Sequence, residues 1–134
     1  MGKAFASVWR YALPVGVPLQ LISVVDIGWF GAQAFWRCDS KEYRNRSISL
    51  AADELTFEEA SKVCKDKLGY ALPAMPNIVG WVVLKIIGDI RLMFEFFAKE
   101  HLDADIAECR RLHPKMMTFG EWLEAESNFV KIES

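Results

Sequence analysis

The sequence predicts an α/β fold that is rich in helix and carries two or three short strands. Apolar residues recur at helical spacing along most of the chain. Two Thr-x-x-Glu capping boxes mark helix starts. Two short runs, one apolar and one alternating, read as strands. The 134 residues suit one domain spanning 1–134, and a hydrophobic content of 52% is enough to bury a core.

Taken in order, Ala4 to Leu13 is expected to form a short helix, ended by Pro14, Gly16 and Pro18. Leu19 to Val25 is β-branched and mostly apolar, so it reads as a buried strand that wants neighbours on both sides. Asp26 suits the N-cap of a helix from Ile27 to about Trp36. Small residues Gly28, Gly31, Ala32 and Ala34 are expected to let that helix pack closely on a sheet. Ser47 to Ala52 alternates, with Ile48 and Leu50 on one face, and reads as a second strand.

Thr56 and Glu59 form a capping box. It opens a helix whose inward positions are Phe57, Ala60, Val63, Cys64 and Leu68 and which Gly69 ends. An extended link from Tyr70 to Pro76 follows, then one long helix from Ile78 to about Glu100. At 100° per residue its Lys85, Asp89, Arg91, Glu95 and Lys99 fall on one side, and Val83, Ile86, Ile90, Phe94 and Phe97 on the other. Asp103 or Asp105 is expected to start a shorter helix closed by Pro114, and Thr118 with Glu121 caps the last one. A sheet so poor in strands wants partners from outside the chain.

Charge and motifs narrow the function. A net charge of −2 argues against a nucleic-acid binder. The basic cluster of Lys41, Arg44 and Arg46 is diluted by Asp39 and Glu42 and reads as a solvated loop. Charges inside 78–97 argue against a membrane span. Pro14, Gly16, Pro18 and Asp26 interrupt the N-terminal run that loosely mimics a signal peptide. Cys38, Cys64 and Cys109 are odd in number and widely spaced, which suits free thiols in a reducing, cytoplasmic setting and no metal site.

No dinucleotide or phosphate loop is legible. Gly28-Trp29-Phe30-Gly31 supplies two of three glycines, and its aromatic residues would crowd a pyrophosphate. No Tyr-x-x-x-Lys pair and no Gly-x-Ser-x-Gly occurs. His101 reads as a complement to a helix end and His113 as a surface residue, so neither is a general base. Catalytic, cofactor-binding and metal residues are therefore expected to be none. Trp81, Met93, Phe94 and Phe97 are expected to wall a pocket for a small hydrophobic ligand.

Several ordered segments together resemble one family. They are PLQLISVVDIG from Pro18 to Gly28, SLAADELTFEE from Ser49 to Glu59, DADI from Asp103 to Ile106, His113-Pro114, and TFGEWL from Thr118 to Leu123. In this order and spacing they look like the C-terminal part of NmrA-like proteins, atypical relatives of the short-chain dehydrogenases and reductases. The resemblance implies the C-terminal portion of a Rossmann-type, NAD(P)-binding fold, with the N-terminal dinucleotide-binding domain and its glycine motif absent. NADP or NAD is then expected only for a full-length member.

Three functions follow as expectations. The chain is the cleft-forming part of a redox-sensing regulator or reductase-like protein, not catalytic alone. Alternatively, it is a cofactor-independent cyclase or isomerase acting on a hydrophobic metabolite. Or it is an interaction module that pairs with a full-length relative as an oligomer.

Overall fold

The computed structural model describes residues 2–100 and 103–129. Seven helices and a two-stranded antiparallel sheet make up the described residues. Helix α1 (Gly2–Ala12) buries Ala6, Val8 and Trp9. It ends at a turn closed by the Val17 N–H donating to the Pro14 carbonyl at 3.1 Å. Gly16 sits in that turn at φ 85°, the left-handed geometry that glycine enters at no steric cost.

Strand β1 (Leu19–Leu21) pairs with β2 (Asp53–Leu55), Leu19 opposite Leu55 and Leu21 opposite Asp53. Both strands depart from the sequence reading. The first stops at Leu21 because Ser23 caps a helix, its hydroxyl accepting from the Val25 N–H at 3.1 Å. Helix α2 (Val24–Trp36) therefore starts within the expected strand, and β-branched Val24 and Val25 go into its first turn. The second strand lies at 53–55 rather than 47–52. Residues 47–52 approach as an irregular segment, tied by the Ala52 N–H to the Leu21 carbonyl at 2.7 Å. Gln20 adds a side-chain rung to this small sheet. Its amide accepts from the Ala104 N–H at 3.1 Å and donates to the Ala104 carbonyl at 3.2 Å.

Beyond α2, local capping signals appear where the sequence places them. Thr56 and Glu59 form a reciprocal box at the start of α3 (Phe57–Leu68), and Gly69 ends that helix at φ 87°. Asp105 caps α6 (Ile106–Leu112). Thr118 and Glu121 form a second box at α7 (Phe119–Ala125). The Glu59 and Glu121 carboxyls are held below their ordinary pKa, first by the threonine backbone N–H and then by its hydroxyl.

The expected long helix is two. Helix α4 (Asn77–Ile86) and α5 (Gly88–Glu100) are separated by Ile87 at φ −107°, ψ 90°. Two β-branched residues followed by a glycine make 86–88 a weak point for helix. The break lets each half meet α1 separately. Gly80 of α4 touches it so closely that a Cβ there would lie 2.8 Å from the Ser7 carbonyl oxygen. Phe94 of α5 reaches the main core of Val8, Trp9, Leu13, Leu19 and Ala60.

A second cluster joins Phe30 to Ala52, Cys109, Leu112 and Met116. A third sets Cys64 and Leu68 of α3 against Leu123 of α7. The close helix packing expected at Gly28 and Gly31 is not found, since a Cβ at either would meet nothing within 4 Å. It occurs instead at Gly80, and at Gly120 against Val63 and Lys67. No helix among the described residues is long and apolar enough to cross a membrane.

Candidate functional site

The site is a cavity of about 190 Å³ where α1, the end of β1 and α7 converge. Five aromatic residues stand in its wall: Phe5 and Trp9 from α1, Phe119 and Trp122 from α7, and Phe129 beyond it. Leu21, Ile22, Leu72 and Met117 fill the gaps between them. Helical periodicity explains the placement. Residues 5 and 9 lie one turn apart on α1, and 119 and 122 one turn apart on α7, so each helix turns a pair of rings the same way. The Phe119 and Trp122 rings lie nearly parallel, centroids 6.0 Å apart and planes 19° apart.

Ser23, Thr118 and the two tryptophans, Trp9 and Trp122, are the wall residues with O–H or N–H side-chain groups, and among the described residues no ionisable side chain lines it. Each hydroxyl is already engaged as a cap. Ser23 donates to Glu126 Oε2 at 3.1 Å while accepting from Val25 N–H. Thr118 donates to Glu121 Oε2 at 2.8 Å while accepting from Glu121 N–H at 3.2 Å. A molecule in the cavity therefore meets apolar surface and committed hydroxyls, an arrangement suited to binding rather than to proton transfer. The volume exceeds the ~150 Å³ at which an apolar protein cavity stays dry and admits benzene.

Behind the Met117 wall stands a polar pin that the sequence reading misassigns. Asp26 is not the N-cap of α2. It lies in the first turn and is only 2% exposed. Its Oδ2 accepts from the Met117 N–H at 3.0 Å, and its Oδ1 lies 3.0 Å from His113 Nε2. His113 is likewise no surface residue. Its ring stacks on Trp29, centroids 3.9 Å and planes 8° apart, with Phe30 edge-on at 5.9 Å. The pin fixes α2 to the α6–α7 connection and so holds one side of the cavity. His101 lies outside the described residues.

The four residues expected to wall a pocket occupy other places. Phe94 is buried in the main core with Phe97 edge-on to it at 5.8 Å. Trp81 is exposed on α4, the Lys85 ammonium 5.6 Å from its ring centroid, and Met93 is exposed on α5. None of the four lines the cavity described above.

Among the described residues, no group of three or more His, Cys, Asp or Glu side chains is placed to hold a metal ion. All three cysteines are free. Cys38 is exposed, whereas Cys64 and Cys109 are buried, and burial pushes the Cys64 thiol pKa up. In comparison with known proteins, the chain matches no family model and no curated sequence.

Proposed function

We propose that this chain is the ligand-binding, cleft-forming part of a Rossmann-type NmrA-like protein, a redox-sensing regulator or reductase-like molecule, and that it is not catalytic by itself. One observation carries the reading. The cavity is walled by five aromatic side chains and, among the described residues, by no ionisable one. Such a wall orients an apolar molecule, and any redox chemistry on that molecule has to come from a dinucleotide, NADP or NAD, held by a different domain. The resemblance of the ordered segments to NmrA-like proteins supplies that domain type. The free thiols suit a cytoplasmic setting.

Two calorimetric titrations test the proposal. Indane, a small aromatic hydrocarbon, is expected to bind the chain with Kd on the order of 0.1 mM. NADPH is expected to give no binding heat. Tight NADPH binding to this chain alone overturns the division of labour, and absence of indane binding overturns the cavity as its site.

A second reading, an interaction module that pairs with a full-length relative, is favoured by the outward face of α2. There Val24, Val25, Ile27, Phe35 and Trp36 are all exposed. Apolar surface of this kind on one helix is a common mark of a contact face. Light scattering of the chain mixed with such a relative is expected to show a hetero-oligomer, and two separate monomers would rule this reading out.

A further inference from the structure

Resting on the reading of the outward face of α2 as a contact face, and independently of the cavity, we infer that its partner is a second copy of this chain, the two α2 helices packing antiparallel about a two-fold axis at the level of residue 30. The shape of the face carries the argument. At 100° per residue, Val25, Gly28, Ala32 and Phe35 fall on one line, opposite buried Asp26 and Phe30. All four are exposed. The line reads large, small, small, large. Turned onto itself about residue 30, it sets Gly28 of each copy against Ala32 of the other, and Val25 of each against Phe35 of the other. Val24 and Trp36 match in the same way. Self-complementarity of this kind is what an isologous dimer requires.

The glycines add a separate observation. Gly28 and Gly31 weaken a helix relative to alanine, and the chain's own packing does not call for them, since a Cβ at either meets nothing within 4 Å. Small residues at the middle of the face let two backbones approach closely, while the larger side chains close over both ends. No charge on the face has to leave water. Asp26, the one ionisable residue of α2, is turned inward to His113 and Met117.

Charge fixes the direction. At the N-terminal end of α2 the cap Ser23 donates to Glu126, and the stretch from Met117 to Phe129 holds Glu121, Glu124 and Glu126 with no Lys or Arg. Beyond the C-terminal end, residues 37–46 set Arg37, Lys41, Arg44 and Arg46 against only Asp39 and Glu42. Antiparallel packing brings the acidic end of each copy to the basic end of the other and opposes the two helix dipoles. Parallel packing would bring like ends together. The area suits a modest association. Phe35 and Trp36, almost fully exposed, offer roughly 300–400 Å² between them, about half of the ~800 Å² that each partner gives a standard interface.

Sedimentation velocity of the full chain tests the pairing. The sedimentation coefficient is expected to rise from that of a monomer to that of a dimer between about 1 and 300 µM, with Kd on the order of 10 µM. Well below that concentration the α2 face is bare. Gly28→Glu puts a charge at the centre of the pairing and is expected to hold the chain monomeric throughout. Its melting temperature in dilute solution is expected to match or exceed that of the unaltered chain, because the position is open and glutamate is the better helix former. Should Gly28→Glu fail to fold, Phe35→Ala is read in its place and is expected to weaken the dimer at least about fivefold.

The exposed Cys38 reports the direction. Spin labels on it are expected to stand roughly 20–35 Å apart in the dimer, because antiparallel helices carry the two thiols to opposite ends. A separation below about 15 Å overturns the antiparallel arrangement. A chain that stays monomeric at about 300 µM overturns self-pairing while leaving pairing with a relative intact. A dimer that these substitutions leave undisturbed overturns α2 as its seat, and growth into open-ended assemblies refutes the two-fold closure.

Discussion

Helices α2 and α3 each follow a short strand, are capped by a hydroxyl residue and run for three to four turns, yet they are held in opposite ways. Helix α3 is the polar one, FEEASKVCKDKL, and it puts Ala60, Cys64 and Leu68 into the interior at i, i+4 and i+8 while its charges face water. Helix α2 is almost wholly apolar, VVDIGWFGAQAFW, and buries only Asp26 and Phe30. Phe35 and Trp36 stand 87% and 84% exposed. Apolar content therefore does not rank the two helices by burial. The arrangement of residues around the cylinder does, together with one buried carboxylate, Asp26, that holds α2 by its first turn.

The largest effect expected from this contrast is between two phenylalanines. Phe94→Ala removes a ring from the main core and is expected to cost about 3–5 kcal/mol, enough to bring a domain of ordinary stability close to unfolding. Phe35→Ala on the bare face of α2 is expected to stay within about 0.5 kcal/mol. Urea denaturation of both variants measures the gap. A Phe35→Ala cost as large as that of Phe94→Ala would mean that α2 is packed in solution.

The next effect concerns the pin. Asp26→Ala strands the Met117 N–H and the His113 ring, and about 2–3 kcal/mol is expected to be lost. Asp26→Asn keeps one acceptor and is expected to lose less. If Asp26→Ala is neutral, α2 is held by Phe30 and its cluster alone, and the contrast with α3 fails.

The smallest effect belongs to the caps. Thr56→Ala at the start of α3 is expected to cost about 1 kcal/mol. The paired Glu59 and Glu121 carboxyls add a pH dependence with a definite sign. Their folded pKa values lie below the ordinary 4.5, so their contribution is present above that pH and is lost as pH falls through the depressed values. The double variant Glu59→Gln, Glu121→Gln is therefore expected to be less stable than the unaltered chain at pH 7, with the difference closing below pH 4.5. A difference that stays constant on acidification would remove the caps from the comparison.

What could be read from the sequence follows the range of each interaction. The Thr56–Glu59 and Thr118–Glu121 boxes, the Asp105 cap and the Gly69 stop are complete within four residues, and their signals are legible in a linear reading. Strand limits were misplaced because Ser23 competes with Val24 and Val25 for the segment, and a hydroxyl cap won over β-branched propensity. The split of α4 from α5 has a local cause at 86–88, but an apolar stripe that continues across Gly88 hides it.

The site was the least legible part. Asp26 meets His113 across 87 positions of chain, and the cavity wall runs from Phe5 to Phe129. The aromatic richness of α5 drew attention to Phe94 and Phe97, which pack the core. The rings at the cavity sit in pairs on two short helices at opposite ends of the sequence. An available clue was the TFGEWL segment itself, where the capping box fixes the phase of α7 and so sets Phe119 and Trp122 on one side.

The exposed Cys38 lies two residues beyond Trp36, while burial shields Cys64 and Cys109. Thiol-directed dyes should thus attach selectively at the end of the bare α2 face without any engineering of the chain. A fluorophore placed there would sit beside Phe35 and Trp36, where its anisotropy could follow the arrival of a partner in real time. The natural distribution of sulfur in this molecule supplies both the attachment point and the internal controls.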